Sequence, residues 1–140
     1  MLAVMDIMTT SVQKVTPDTV LLEVLATMNN NNLRHVPVVE NEKLVGIISD
    51  RDIRLAMNST LIDGDLDTHF SWLERFVAKQ CMTKNPMTIE PTASINRAAA
   101  IFHQNKFGAL PVVDQGKLVG IITVTDLLAF LAEHEELVSD

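Results

Sequence analysis

Apolar and polar positions along this chain follow two spacings, one typical of helices and one typical of strands. In the first half, an extended segment at 12–15 precedes a helix, and the asparagines at 29–32 end that helix. Two apolar strands joined by a polar turn follow at 36–39 and 44–48, and another helix begins near Asp50. The apolar stripe of the first helix is Leu21, Val24, Leu25 and Met28.

The second half of the chain predicts the same elements in the same order. An extended segment at 87–89 precedes a helix, and two apolar strands follow at 110–113 and 118–122. A last helix begins near Thr125 and is expected to reach Leu137. The apolar stripe of the first of these two helices is Ile95, Ala98, Ala99 and Phe102.

Short polar side chains stand before both apolar stripes, where the N-caps of helices are found. Asp18 and Thr19 are the candidates in the first half, and Thr92 or Ser94 in the second. An oxygen at this position accepts a hydrogen bond from a free amide of the first helical turn, so we expect these residues to start the two helices.

The two halves are copies of one another at an offset of 74 residues, the distance from Lys43 to Lys117. The string KLVGII stands at both places, and the match extends on either side without a gap. An internal repeat of this length indicates two structural units of the same kind. The matched pairs include Met8-Thr9 with Met82-Thr83, Pro37 with Pro111, Gly46 with Gly120, and Asp52 with Asp126.

One β-α-β-β-α copy is too small to bury its sheet and both of its helices alone, so we expect two copies to share a core. The predicted fold class is α/β (α+β), with two pseudo-symmetric β-α-β-β-α repeats packed as one module. Repeat one is assigned to 1–57, a connector to 58–74 and repeat two to 75–140. A short amphipathic helix is predicted around the connector from the apolar residues Phe70, Trp72, Leu73, Phe76 and Val77.

Composition narrows the class of protein. Apolar residues make up 47% and charged residues 21% of the chain, which is a normal globular balance. The net charge of -7 argues against binding to duplex nucleic acid, and no apolar run approaches the length of a membrane span. The single cysteine, Cys81, agrees with a reducing compartment, so a cytoplasmic location is expected.

The order of these motifs resembles the CBS domain, named after cystathionine β-synthase. Each repeat carries Met-Thr, a helix, h-P-V-V-[DE] and then L-V-G-I-I-[ST]-x-x-D-[IL], where h is apolar. Two such repeats in tandem are similar to a Bateman module, and the chain looks most like small stand-alone bacterial members, including the acetoin-utilisation type. The resemblance implies a regulatory module that binds AMP, ADP, ATP or S-adenosylmethionine in clefts between the repeats, with pairs of modules forming a homodimer.

The resemblance also implies the residues of a primary cleft. Asp126 would hold the ribose hydroxyls with help from Thr123, since a carboxylate accepts two hydrogen bonds at once. The phosphates would be held from the other repeat, where two arginines and a histidine that is partly protonated near neutral pH match the family positions. The adenine slot is assigned to Thr83, Pro86, Phe107, Ala109 and Pro111, and the phosphate cations are Arg34, His35 and Arg51.

A secondary cleft at Asp52 is expected to be weaker or empty. The residues that would face its phosphates are Gly108, Ala109 and Thr125, none of which is basic. Two alternatives stay open beside the cleft roles. Phe107 suits a core position equally well, and pairing with Asp50 or with surface glutamates would also account for Arg34 and Arg51. The secondary cleft is assigned to Thr9, Val12, Leu33, Pro37, Ser49 and Asp52.

Other functional classes are less well supported by the residues. The four histidines show no metal-ligand spacing, and no P-loop, G-x-S-x-G or G-x-G-x-x-G motif is present, so we expect neither an enzyme nor an obligatory cofactor. A protein-interaction or oligomerisation module with vestigial clefts is the stronger alternative, followed by a sensor of S-adenosylmethionine. The effector partner is not encoded in any recognisable motif.

Overall fold

The computed structural model describes residues 2–60 and 66–134 of the chain. These residues form two compact units, each considered by itself below. The first unit is Gln13–Pro86, and the second unit joins Met1–Val12 to Met87–Asp140. The predicted mixture of helices and sheet is confirmed, with a sheet and packed helices in each of two repeats.

The first unit has a three-stranded antiparallel sheet with helices packed on it. Strand β2 lies between β1 and β3, and β1 pairs with β2 from His35 opposite Ser49 to Glu40 opposite Lys43, with a bulge between Val38 and Val39. The predicted extended segment at 12–15 is reduced to one parallel bridge between Val15 and Val38. The elements are α1 (Leu21–Asn30), β1 (His35–Glu40), β2 (Lys43–Ser49), α2 (Asp50–Thr60), α3 (Leu66–Arg75) and β3 (Thr83–Lys84).

The second unit repeats this arrangement around an antiparallel β4–β5 hairpin. Its register runs from Ala109 opposite Thr123 to Asp114 opposite Lys117, and the bulge falls between Val112 and Val113. Ile89 forms a parallel bridge to Val112, as Val15 does to Val38 in the first unit. The elements are α4 (Ile95–Asn105), β4 (Ala109–Asp114), β5 (Lys117–Thr123) and α5 (Val124–Glu133).

The Met-Thr segment that begins each repeat packs on the hairpin of the other repeat. Thr9 exchanges two backbone hydrogen bonds with Ile121 on β5, at 2.9 and 3.0 Å, whereas Thr83 on β3 pairs with Ile47 on β2. Each segment crosses a glycine, where its methionine takes the space that a side chain would occupy. A Cβ added to Gly46 would lie 2.5 Å from Met82 Sδ, and one added to Gly120 would lie 2.6 Å from Met8 Sδ.

The predicted helix caps are confirmed in one repeat and wrong in the other. Ser94 is the N-cap of α4, and its hydroxyl accepts a hydrogen bond from the amide of Arg97 at 3.1 Å. The N-cap of α1 is Val20, which makes no side-chain cap, because the Thr19 hydroxyl is turned back to accept from the Thr16 amide at 3.0 Å. Helix α5 is described as far as Glu133, and Leu137 lies outside the described residues.

The core of the first unit includes the connector helix. Trp72 and Leu73 of α3 are 4% and 7% exposed, and they cluster with apolar residues of α1, α2 and the sheet. Helix α3 packs mainly on α1. The second unit has a separate core formed by Val4, Ile89, Ala98, Phe102, Leu110, Val112 and Ile122.

Candidate functional site

Each hairpin leads into a turn in which two side chains cap the following helix reciprocally. The Ser49 amide donates to Asp52 Oδ2 at 2.9 Å, and the Asp52 amide donates to the Ser49 hydroxyl at 3.0 Å. At the matching turn, the Thr123 amide donates to Asp126 Oδ2 at 2.9 Å, and the Asp126 amide donates to the Thr123 hydroxyl at 3.1 Å. These capping boxes fix both carboxylates with one oxygen engaged, so the Oδ1 lone pairs remain for a further donor.

The residues before each h-P-V-V strand are held beside the turn of their own repeat. His35 lies opposite Ser49 in the sheet, and the amide of Asp50 donates to the carbonyl of Arg34 at 3.1 Å. In the second unit, Ala109 lies opposite Thr123, and the amide of Val124 donates to the carbonyl of Gly108 at 3.0 Å. The same backbone geometry therefore presents basic residues at one turn and uncharged ones at the other.

The residues predicted for the primary cleft divide between the two units. Five belong to the second unit and five to the first, so each unit brings together only part of the set. The five of the second unit are Phe107, Ala109, Pro111, Thr123 and Asp126, and the five of the first are Thr83, Pro86, Arg34, His35 and Arg51.

The secondary set divides in the same way. Leu33, Pro37, Ser49 and Asp52 lie in the first unit, whereas Thr9 and Val12 lie in the second. In the second unit, Thr9 pairs with the hairpin that leads to the Asp126 turn. In the first unit, Thr83 pairs with the hairpin that leads to the Asp52 turn. In the clefts expected from the sequence, these two threonines are grouped the other way round.

Several residues assigned to the two clefts are buried. Ala109 is 6% exposed, Pro37 and Pro111 are also buried, and their side chains therefore offer little surface to a ligand. Phe107 is half-buried and packs against the core of the second unit, so it serves as a core residue that keeps part of its surface exposed.

The surroundings of His35 do not favour the partial protonation near neutral pH that the sequence led us to expect. Burial lowers the pKa of His35 below its ordinary value of 6.5, and the charge of Arg34 lowers it further. The carboxylates of Asp50 and Asp52 raise the pKa, but burial is the largest cause. The lowered pKa favours the neutral imidazole at pH 7, which can donate one hydrogen bond without a positive charge.

The cations that the sequence assigned beside the Ser49–Asp52 turn are thus Arg34 and Arg51. Arg34 and Arg51 are both exposed, and neither lies within 4.0 Å of an acidic group among the described residues. The alternative that they pair with surface acids is not observed in this part of the chain. In the second unit the matching positions are Gly108 and Thr125, so the difference in charge between the two turns persists in the fold.

Cys81 lies near the first turn but has the properties of a packing residue. It is half-buried against the core of the first unit. Burial raises the pKa of the Cys81 thiol, and the negative charge of Asp52 raises it further. A thiol that stays protonated is a poor nucleophile, which agrees with a structural role.

No group of three or more His, Cys, Asp or Glu side chains in the ranges 2–60 and 66–134 is placed to hold a metal ion. Across the same ranges, the helices are too short or too polar to cross a bilayer.

The packing of Met8-Thr9 and Met82-Thr83 against the hairpins is the feature that sequence reasoning missed. The signal was available, because both copies match a methionine and a glycine at the same offset. A glycine within an apolar strand indicates a close backbone approach, and a matched methionine is a flexible side chain that fills such a space.

Comparison with known proteins supports the division of the chain into two repeats of one kind. A profile of the CBS domain family matches residues 4–59 and 78–133. A CBS domain-containing protein of Dictyostelium discoideum is 35% identical over 130 residues, covering 91% of this chain and 90% of that protein.

Two solved structures share the fold over nearly the whole chain. A putative acetoin utilization protein from Vibrio cholerae has a TM-score of 0.81 at 30% identity, covering 100% of this chain and 99% of that chain. CBSX2, a CBS-pair protein of Arabidopsis thaliana, was solved in complex with AMP. That complex has a TM-score of 0.79 at 28% identity, covering 96% of this chain and 99% of that chain.

Proposed function

Because the chain belongs to the CBS domain family, we propose that it is a non-catalytic regulatory protein that binds an adenine nucleotide through its [ST]-x-x-D turns. The observation that carries this proposal is the matched pair of capping boxes, which hold the carboxylates of Asp52 and Asp126 with one oxygen still available. The AMP complex of CBSX2, a protein that is similar over 96% of this chain, supports the choice of ligand class.

The ribose is assigned to Asp126. Its Oδ2 accepts from the Thr123 amide, which fixes the orientation of the carboxylate before a ligand arrives. The remaining oxygen can accept from ribose hydroxyls without any rearrangement of the turn, which reduces the cost of ordering the site. Thr9 replaces Thr83 in this assignment, because Thr9 pairs with the strand that leads to Thr123.

The phosphates are assigned to Arg34 and Arg51, with His35 as a neutral donor. Both guanidinium groups are exposed and lack an acidic partner among the described residues, so a phosphate need not displace an existing ion pair. Two cations favour AMP, ADP or ATP over S-adenosylmethionine, which carries no phosphate. The nucleotide would act by binding one conformational state of the protein more tightly than another.

The test is thermal unfolding of the wild type with AMP, ADP, ATP and S-adenosylmethionine, repeated on Asp126→Asn and Asp52→Asn. Asparagine keeps an oxygen for the helix cap but loses the charge and one acceptor, so it separates ligand binding from folding. A ligand at a hundredfold its dissociation constant stabilises the folded state by about 2.7 kcal/mol. We expect this stabilisation in the wild type and Asp52→Asn and its loss in Asp126→Asn; no stabilisation by any ligand would refute the proposal.

A double-mutant cycle identifies which turn the arginines serve. AMP affinity is compared among wild type, Arg51→Gln, Asp126→Asn and the double variant, and the cycle is repeated with Asp52→Asn. Residues that bind one ligand together give non-additive losses, whereas independent residues give additive ones. We expect coupling of Arg51 to Asp126; coupling to Asp52 alone would place the main site at the first turn.

The homodimer implied by the resemblance and the cytoplasmic location expected from the composition remain predictions. Light scattering on the purified protein over a range of concentrations tests the first, and fractionation of the source cells tests the second. A monomer at all concentrations would mean that any regulation acts within one chain or through another protein.

A further inference from the structure

The side chain of Met82 contacts a glycine of the first sheet and also lines an open pocket. A Cβ added to Gly46 would lie 2.5 Å from Met82 Sδ, so the sulfur rests directly on the glycine backbone. The pocket has a volume of about 270 Å³ and lies within the first unit. Met82 is half-buried, so a small solute that enters the pocket can reach its side chain. The other lining residues are Pro17, Asp18, Glu40, Val45, Lys79 and Lys84.

Two lysines bring ammonium groups to the wall of this pocket. Lys79 forms an ion pair with Asp18 at 3.1 Å. Among the described residues, no acidic group lies within 4.0 Å of the Lys84 ammonium. An ammonium group donates hydrogen bonds and accepts none. The charge of Lys84 is therefore available to stabilise an oxygen atom that becomes negative inside the pocket.

The second unit repeats the contact with glycine but not the cations. Met8 Sδ would lie 2.6 Å from a Cβ added to the matching glycine of β5. At the offset of 74, Lys79 corresponds to Met5 and Lys84 to Thr10, and neither Met5 nor Thr10 is charged. The two thioethers thus have the same packing on glycine and different electrostatic surroundings, which makes Met8 a matched control within the same chain.

We propose that Met82 is a site of reversible oxidation by a peroxide, and that its oxidation loosens β3 on β2. A sulfur lone pair bonds to one oxygen of hydrogen peroxide, the O–O bond breaks, and the departing hydroxide takes the proton of the transferred oxygen and leaves as water. The sulfur loses two electrons and becomes a sulfoxide, which methionine sulfoxide reductases return to the thioether. The positive charge of Lys84 favours the step by stabilising the departing hydroxide.

The contact with glycine determines what oxidation does to the fold. Strand β3 follows Met82 directly, and its two residues pair with Gly46 and Ile47 of β2. A sulfoxide is larger and more polar than a thioether, so it no longer fits against a backbone where the sulfur already takes the place of a Cβ. Strand β2 ends at Ser49, so the loosened pairing lies directly before the turn that carries Asp52.

The same contact predicts the stereochemistry of the product. The glycine backbone covers one face of the Met82 sulfur, so a peroxide reaches the lone pair on the uncovered face. One of the two sulfoxide epimers should therefore form in excess at Met82. The exposed Met87 is 49% accessible and should give the two epimers in similar amounts. Two classes of reductase, each specific for one epimer, distinguish these products.

The test treats the purified full-length protein with dilute hydrogen peroxide and follows each methionine by proteolysis and mass spectrometry. Lys84→Leu removes the cation, and Lys43→Leu is its control, because Lys43 is exposed on β2 and lies outside the pocket lining. We expect Met82 to oxidise about threefold or more faster than Met8 in the wild type and in Lys43→Leu. In Lys84→Leu the two rates should become equal. Met28, which is 1% exposed, gives the rate of a buried thioether.

Hydrogen exchange measures the structural consequence. After oxidation of the wild type, the amides of β2 and β3 should exchange about tenfold or more faster. Met82→Leu keeps an apolar side chain of similar volume without an oxidisable sulfur, so its exchange should be the same before and after peroxide treatment. This variant retains Cys81, so any effect of oxidising the thiol would persist in it.

Three outcomes would overturn the proposal. The first is a Met82 that oxidises no faster than Met8 in the wild type. The second is a Met82 sulfoxide that leaves the exchange of β2 and β3 unchanged, and the third is faster exchange in peroxide-treated Met82→Leu. None of these measurements uses a nucleotide, so a failure of this proposal is distinct from a failure of the nucleotide proposal.

Discussion

Met82 lies against Gly46 so closely that a Cβ on the glycine would come within 2.5 Å of the methionine sulfur and 2.9 Å of the Thr83 carbonyl oxygen. Met8 and Gly120 form the same contact in the other unit, at 2.6 Å from the sulfur and 3.0 Å from the Thr9 carbonyl oxygen. The contact explains why both repeats contain a methionine, a threonine and a glycine at matched positions. It also fixes which Met-Thr segment packs on which hairpin.

Gly46→Ala and Gly120→Ala should each lower the free energy of unfolding by about 1–3 kcal/mol, because the added methyl group meets backbone as well as a side chain. Equilibrium unfolding in urea measures the effect. Combining Gly120→Ala with Met8→Ala removes the contact with sulfur and should give a loss smaller than the sum of the two single losses. Additive losses, or a Gly120→Ala variant as stable as the wild type, would contradict the contact.

The capping boxes give a prediction that needs no ligand. Ser49→Ala and Thr123→Ala remove a hydroxyl that accepts from the amide three residues on, and each should lower the free energy of unfolding by about 0.5–2 kcal/mol. Thr125→Ala is the matched control, since Thr125 is exposed two positions further along α5 and should change stability by about 0.5 kcal/mol or less. Equal effects of Thr123→Ala and Thr125→Ala in urea unfolding would mean that the cap contributes nothing.

The repeats, their strands and the positions of the [ST]-x-x-D turns could be predicted, because apolar spacing and a 74-residue offset are local properties of the sequence. The pairing of Thr9 with Ile121 could not be predicted, because an internal repeat shows which positions are equivalent but not which copies are in contact. The N-cap of α1 was wrongly predicted because the Thr19 hydroxyl can accept a hydrogen bond either from a helix amide or from the preceding turn. In the fold it accepts from the Thr16 amide. The charge of His35 depends on burial, which no single residue type reveals.

The lowered pKa of His35 predicts a loss of stability on acidification. The unfolded chain takes up this proton near pH 6.5, whereas the folded protein takes it up only at lower pH, so the unfolded state binds more protons in between. The free energy of unfolding should therefore fall as the pH drops from above 6.5 toward the folded pKa, and the loss should level off below it. Urea unfolding at pH values from about 8 to about 5 measures the slope.

His35→Gln removes this titration and should flatten the pH dependence between these limits. His103→Gln is the control, because His103 is exposed on α4 in the second unit. A His35→Gln variant whose stability falls with pH as steeply as that of the wild type would show that other groups cause the loss.

Trp72 tests whether α3 is part of the core of the first unit. The side chain is 4% exposed and stacks on Phe76 with a centroid distance of 5.0 Å, so Trp72→Ala should lower the free energy of unfolding by about 3–5 kcal/mol. The indole N–H has no hydrogen-bond partner among the described residues, so Trp72→Phe loses volume but also removes an unsatisfied donor. Its net loss should be about 1.5 kcal/mol or less.

Phe70→Ala on the same helix is the control, since Phe70 is 46% exposed and its removal should change stability by about 0.5 kcal/mol or less. Far-ultraviolet circular dichroism in urea follows all four proteins, and the fluorescence of the single tryptophan reports directly on α3 in the wild type and Phe70→Ala. If fluorescence changes at a lower urea concentration than circular dichroism, α3 separates before the rest of the first unit unfolds. A single coincident transition, with the large loss confined to Trp72→Ala, establishes α3 as part of the cooperative core of the first unit.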